Sequence, residues 1–212
     1  MNRTKASLVV LALVLTSGCS LLPADSPSLG GDDATTPTPA GEVVTASAPA
    51  ADDGVETGPV LLETGEVGSG YSQTGEARTR TDTATDETAR RFRRYGVRVR
   101  HERSFGRDDD GVDGAAVVLS SVTVYRNASA ARAGERRLAA ALADGGATVD
   151  ETQLRTGVTV RQATFTNTEG ARNSLVVDSD GRLVYYVVVS DPERRFSTQA
   201  RRLFVTMASD VY

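Results

Sequence analysis

Hydrophobic and polar positions divide the chain into a mostly polar first part and a patterned second part. From Asp86 onward, apolar residues recur at helix or strand spacing, whereas residues 20–85 show only brief apolar runs. The second part predicts the element order α-β-β-α-β-β-β-β-α. Runs of strands with helices at intervals are typical of an α+β domain. We therefore expect an antiparallel sheet of about five to six strands with helices packed on one face.

Helix signals flank three segments. Asp86 begins the first helix and Gly96 stops it. Asn127 is a capping residue ahead of a second helix over 128–143, which Gly145-Gly146 ends. Asp191-Pro192 is expected to open the last helix, with Asp as cap and Pro at the first helical position. Its stripe is the clearest in the chain and comprises Phe196, Ala200, Leu203 and Met207.

Six segments carry strand patterns, at 97–105, 115–125, 147–154, 158–166, 174–177 and 183–189. The last of them is a continuous apolar run, Leu-Val-Tyr-Tyr-Val-Val-Val. A strand without polar alternation is typical of the middle of a sheet that is covered on both faces. We therefore predict that this strand is central.

The start of the chain has the parts of a secretory signal. A basic stretch, Asn2-Arg3-Thr4-Lys5, precedes the apolar run Ala6–Leu15 and then Thr16-Ser17-Gly18-Cys19. The last four residues resemble the lipobox of prokaryotic lipoproteins, with Thr16 where that family usually has Leu. The resemblance implies that Cys19 is joined to diacylglycerol, that residues 1–18 are removed, and that the rest lies on the extracytoplasmic side of the cell membrane.

Three further segments follow the signal. Residues 19–58 are rich in Pro, Thr, Ala and Asp and have too few apolar side chains to build a core, so we predict a disordered tether. A tether of this length averages about 35 Å from end to end. Residues 59–85 form a transitional segment with brief apolar runs, and residues 86–212 form the α+β domain.

Composition excludes several classes of site. One Cys and one His rule out an internal disulfide framework and a Cys- or His-rich metal site within the chain. The formal net charge of −4 disfavours general nucleic-acid binding, which depends on neutralising phosphates. No motif for a cofactor or a resident metal is present, and we expect neither.

Two charged groups are candidates for binding. The loop residues Asp108, Asp109, Asp110 and Asp113 could hold a divalent cation through their oxygens, or could be a solvated hairpin tip. The helix residues Arg194, Arg195, Arg201 and Arg202 could meet anionic lipid headgroups or acidic envelope polymers, or could be a solvated helix surface paired with carboxylates.

Two single residues allow a chemical and a structural interpretation. His101 could act as a general base beside Ser120 or Ser121 on the next strand, although no nucleophile-elbow motif is present, and it could equally be a structural histidine. Asn127-Ala128-Ser129 is a glycosylation sequon, and helix capping explains Asn127 equally well.

The sequence therefore predicts a lipid-anchored, extracytoplasmic binding or interaction module of the cell envelope without catalytic activity. Its expected partners are the membrane, through the lipid on Cys19, and an envelope partner or ligand that the sequence does not identify. Two alternatives stay open. One is an envelope hydrolase that uses His101, and the other is a structural or chaperone-like envelope lipoprotein.

Overall fold

A computed structural model describes residues 55–109, 111–154 and 157–209. Its helices and strands follow in the order α1 Thr64–Val67, β1 Tyr71–Arg80, α2 Asp86–Tyr95, β2 Val97–Arg107, β3 Val117–Tyr125, α3 Ala128–Asp144, β4 Thr148–Gln153, β5 Thr159–Thr166, β6 Arg172–Asp180, β7 Leu183–Asp191 and α4 Ser197–Ser209. From Asp86 onward this is the predicted order, and the α+β class is confirmed.

The strands form one antiparallel sheet in the order β1-β2-β3-β7-β6-β5-β4. This sheet has seven strands, so the predicted five to six was too low. The additional strand is β1, in the segment 59–85. It lies at an edge, most of its side chains are exposed, and a bulge between Gln73 and Gly75 breaks its register. An edge strand with polar side chains and a bulge has no clear apolar alternation to reveal it.

The central position predicted for 183–189 is confirmed, because β7 lies between β3 and β6 in the middle of the sheet. Tyr185, Val187 and Val189 belong to one buried cluster, whereas Val184, Tyr186 and Val188 belong to another. Successive side chains of a strand point to opposite faces, so both faces of β7 are covered.

Helices lie on both faces of the sheet, which corrects the prediction of a single covered face. On the first, the α4 face, α1 and α4 cover the strands; on the second, the α3 face, α2 and α3 do so. The apolar run of β7 requires this arrangement, because each of its faces exposes large apolar side chains that only a helix layer removes from water.

The α4 face is packed by the predicted stripe of the last helix. Ala200, Leu203 and Met207 are fully buried and Phe196 is half-buried. Phe204 stacks on Tyr185 of β7, with ring centroids 5.3 Å apart and planes inclined by 14°. A large side chain buried in this way contributes about 1.5–3 kcal/mol to stability.

The last helix begins later than the sequence predicts, at Ser197. Asp191 ends β7 instead of capping this helix. One oxygen of its carboxylate accepts hydrogen bonds from the backbone N–H groups of Glu193 and Arg194, and the other accepts from Ala116 N. The carboxylate thus stabilises a turn ahead of the helix and ties it to the start of β3.

The α3 face is packed around Tyr125 and the helix above it. Gly134 lies in the middle of α3, where a Cβ atom would clash with the hydroxyl oxygen of Tyr125. Glycine at this position lets the tyrosine pass beneath the helix. Asn127 caps α3, since its side-chain oxygen accepts from Ala130 N at 2.8 Å.

Candidate functional site

His101 lies near the middle of β2 and points to the α4 face, next to Val122 of β3 and Arg78 of β1 in the strand register. It is 6% exposed. A buried imidazole needs partners for both ring nitrogens. The partners of the two nitrogens therefore show whether His101 is placed as a general base or as a structural histidine.

Both nitrogens of His101 are hydrogen-bonded. Nε2 lies 2.8 Å from Oε1 of Glu76 on β1, and Nδ1 lies 2.9 Å from Oγ1 of Thr57. A carboxylate only accepts, so Nε2 carries a proton, and in the neutral ring Nδ1 then accepts from the Thr57 hydroxyl. Arg103 adds a second donor to the same Oε1 of Glu76, at 3.1 Å, and another to the Leu62 carbonyl, at 3.4 Å.

The charge of Glu76 is stabilised by this network. The hydrogen bond from His101 lowers the pKa of the Glu76 carboxyl, the partial loss of water opposes that shift, and the guanidinium of Arg103 reinforces it. The Glu76 carboxylate therefore stays ionised to a lower pH than the carboxylate of a free glutamate does.

The network has the carboxylate–imidazole–hydroxyl order of a hydrolytic relay. In this protein, however, the carboxylate is the exposed group and the hydroxyl is the buried one. The Glu76 side chain is 39% exposed, His101 is 6% exposed and Thr57 is 1% exposed. In a relay the hydroxyl meets the substrate and the carboxylate is buried behind the imidazole. Here the hydroxyl is enclosed, and what the network does is hold residue 57 against the sheet.

The two serines considered as nucleophiles do not join this network. Ser120 and Ser121 are fully buried on β3, and the nitrogens of His101 are bonded to Thr57 and Glu76 instead. Sequence reasoning selected His101 but missed both of its partners. Thr57 stands in a polar segment without periodicity, and Glu76 stands in the strand that the pattern did not reveal.

A second polar group lies on the α3 face. The hydroxyl of Tyr186 accepts from Arg100 Nη2 at 2.7 Å and donates to Glu102 Oε1 at 3.1 Å, and Arg100 Nε also bonds Glu102 at 2.9 Å. Burial raises the pKa of Tyr186 to about 12, and the positive charge of Arg100 opposes that rise. Each of these three side chains thus has a hydrogen-bond partner within the group.

Arginines gather beside this group, where the end of α2 meets α3. The guanidinium carbons of Arg137 and Arg94 lie 4.5 Å and 5.6 Å from the centroid of the Tyr95 ring. Burial raises the pKa of Tyr125, and the positive charges of Arg137 and Arg100 counter that rise. The side chain of Arg126 lies against Gly96, and its backbone N–H bonds the Gly96 carbonyl at 2.8 Å.

The arginines predicted to contact anions lie on the opposite side, at the start of α4 and along it. Arg194, Arg195 and Arg202 are exposed, whereas Arg201 is half-buried. Arg194 lies over the Phe196 ring at 5.0 Å, and Arg202 Nη2 donates to the Val67 carbonyl at 3.4 Å. Their contact with anions stays a prediction.

The acidic loop and the start of α4 meet each other. Arg194 Nη2 lies 3.5 Å from Asp113 Oδ1, with both side chains largely exposed. Asp109 Oδ1 accepts from Gly111 N at 2.6 Å and so supports its own turn. Asp108 is also exposed, and Asp110 lies outside the described residues. Within the described ranges, no three His, Cys, Asp or Glu side chains are grouped as a metal ion would require.

Other predicted features lie partly beyond the described chain. Cys19, the signal 1–18 and residues 19–54 of the tether are outside it. Asn127 is exposed, and its side-chain oxygen is engaged as the cap of α3, while its glycosylation stays a prediction. In the described part of the chain, no helix has the length and apolarity needed to cross a membrane.

The sequence matches no protein-family model and no curated protein. Among solved structures, it is similar to the extracellular domain of PknH from Mycobacterium tuberculosis, with 13% identity and a TM-score of 0.49 over 72% of this chain and 92% of that chain. A likeness at this level says nothing about binding or activity.

Proposed function

We propose that this chain is a lipid-anchored, non-catalytic binding or interaction module on the extracytoplasmic side of the cell membrane. The proposal rests on the Thr57–His101–Glu76 network, in which the hydroxyl is buried and the carboxylate is exposed. The network encloses its hydroxyl and thereby fastens residue 57, at the end of the predicted tether 19–58, to β2. The only histidine of the chain thus has a fastening role and no access to a substrate.

The junction has a second attachment that fits a tethered domain. Leu61 and Leu62, just after Thr57, are buried in the core of the α4 face. Arg103 reaches from β2 to the Leu62 carbonyl at 3.4 Å. A tether that transmits drag or pulling from a membrane has to enter the fold at a well-anchored point, and residues 57–62 provide one through both apolar burial and hydrogen bonds.

Acylation of Cys19 is tested by metabolic labelling with an alkyne-bearing fatty acid. We expect label on the unaltered chain and none on Cys19→Ser. A matched variant, Cys19→Ser with Ser20→Cys, keeps one thiol but moves it by one position, and it should also carry no label. Equal label in all three proteins would show that the attachment to the membrane is not a lipid on Cys19.

The carboxylate–imidazole–hydroxyl order keeps a hydrolase as the second candidate. An activity-based fluorophosphonate probe, which traps activated hydroxyl nucleophiles, distinguishes the two. We expect no labelling of the folded protein, because the Thr57 hydroxyl is enclosed. Labelling that disappears in both Thr57→Val and His101→Gln would establish the hydrolase instead.

A further inference from the structure

Charge is distributed unevenly between the start of the chain and its domain. Residues 20–54 contain no Lys or Arg and carry six carboxylates, those of Asp25, Asp32, Asp33, Glu42, Asp52 and Asp53. Every Lys or Arg beyond Lys5 is an arginine of the segment that begins at Arg78. An acidic segment is therefore attached directly to an arginine-rich domain.

The domain concentrates four of these arginines in what we name the arginine cleft, between α2 and α3. The cleft comprises Arg94, Arg100, Arg126 and Arg137, arranged around the rings of Tyr95 and Tyr125 and the backbone of Gly96. Arg94 and Arg126 are exposed and Arg100 and Arg137 are half-buried, so water-borne anions reach the group.

Three of the four cleft arginines have no carboxylate partner among the described residues. Glu102 pairs with Arg100 at 2.8 Å, whereas Arg94, Arg126 and Arg137 form no ion pair with a carboxylate of the described residues. Arg94 and Arg137 share the single ring of Tyr95. The ring attracts each guanidinium, but the two cations repel each other. An anion bound between them would relieve that repulsion.

We propose that the acidic segment 20–54 docks on the arginine cleft. Its carboxylates complement the surplus positive charge, and arginine binds carboxylates through paired N–H groups. The covalent link supplies an effective concentration in the millimolar range. An unstructured chain of this length, as predicted for the tether, averages roughly 30–35 Å from end to end. It enters the fold at Thr57 on the α4 face and would reach the cleft on the α3 face around the sheet edge that β1 forms.

The four arginines at the start of α4 and along it are the other candidates for the same segment, and two of them already have partners. Arg194 is already paired with Asp113, and Arg202 donates to the Val67 carbonyl. The docking does not require the lipid on Cys19, so the two proposals fail independently.

Paramagnetic broadening in the full chain tests the docking. In detergent micelles, Cys19→Ser is combined with Ala34→Cys, and a nitroxide is attached to the new thiol. At about 0.01 M salt, where charges act over about 30 Å, we expect the amide signals of Gly96, Arg126 and Arg137 to lose at least half their intensity. At about 1 M salt, where screening shortens that range to about 3 Å, the intensity should return.

Two triple variants with equal charge change serve as the matched pair. R94Q/R126Q/R137Q should abolish the broadening at Gly96, and R195Q/R201Q/R202Q should retain it. Equal broadening in both variants, or none in the unaltered cleft at low salt, would overturn the proposal. It would likewise be overturned if the nitroxide had no effect while added polyglutamate, or vesicles of anionic phospholipid, shifted the cleft signals, because the occupant would then be external.

Discussion

The imidazole of His101 and the hydroxyl of Thr57 lie 2.9 Å apart across 44 positions of sequence, and this buried hydrogen bond holds residue 57 against β2. The same imidazole holds Glu76 on β1 at 2.8 Å. One side chain therefore links the entry segment, the edge strand and its neighbour.

His101→Ala should destabilise the fold by about 1–3 kcal/mol, because it leaves the buried hydroxyl of Thr57 without a partner. Thr57→Val removes that hydroxyl with little change of shape and should cost less. Urea denaturation measures both, and a cycle with the double variant isolates the pair. If His101→Ala left the urea midpoint unchanged, the hydrogen bond would have no anchoring role.

Acid should weaken the network through Glu76. Its pKa is lowered in the folded protein, mainly by the hydrogen bond from His101, so its contribution to stability is present above the unfolded value of about 4.3 and is lost as pH falls through the lower folded value. Glu76→Gln should therefore flatten the acid limb of a plot of melting temperature against pH. Asp150→Asn, at an exposed position on β4, is the control and should leave that limb unchanged.

The phenol of Tyr186 should lose its proton only at high pH, and its ionisation should destabilise the fold. Burial raises its pKa to about 12, above the ordinary tyrosine value of about 10, so the stability that it contributes is complete below the ordinary value and is lost as pH rises through 12. Ultraviolet titration should show one of the chain's phenols ionising together with unfolding. Tyr186→Phe should remove that late step, and a step that persists would assign it to another tyrosine.

Gly134→Ala should destabilise the domain although alanine favours helices. The new methyl would meet the Tyr125 hydroxyl, and overpacking of this kind costs about 1–3 kcal/mol, against a propensity gain of about 1 kcal/mol. Thermal denaturation measures the net effect. In a Tyr125→Leu background the same substitution should become neutral or stabilising. Gly65→Ala, at an exposed position in α1 with open space around it, is the control and should cause no loss.

Much of the domain could be predicted because its interior elements carry simple periodicities. The apolar run of β7 indicated a central strand, and the stripe through Ala200, Leu203 and Met207 indicated the buried face of α4. The start of α4 was misplaced because an Asp-Pro pair can end a strand in a turn as readily as it can begin a helix. Asp191 does the former, and a single oxygen of its carboxylate accepts both hydrogen bonds of the turn.

The functional residues were harder to predict because they depend on register. His101 meets Glu76 only because Arg78 is its partner on β1, which brings the side chain two residues away within reach. No local pattern encodes that pairing across a bulged edge strand. The placement of helices on both faces could not be predicted either. The sequence pattern shows that each helix has an apolar stripe, but it does not show on which side of the sheet the helix packs.

The pairing of β3 with β7 has a consequence for how the chain reaches its fold. These strands join a half built from residues 71–125 to a half built from residues 148–191, and every other pair lies within one half. A chain made from its N-terminus therefore carries β3, nearly all of whose residues are buried in the final sheet, with one edge open until β7 has been completed. An open apolar edge is prone to pair with other chains. Aggregation of chains in which β7 has not yet paired with β3 is thus a hazard that this topology creates.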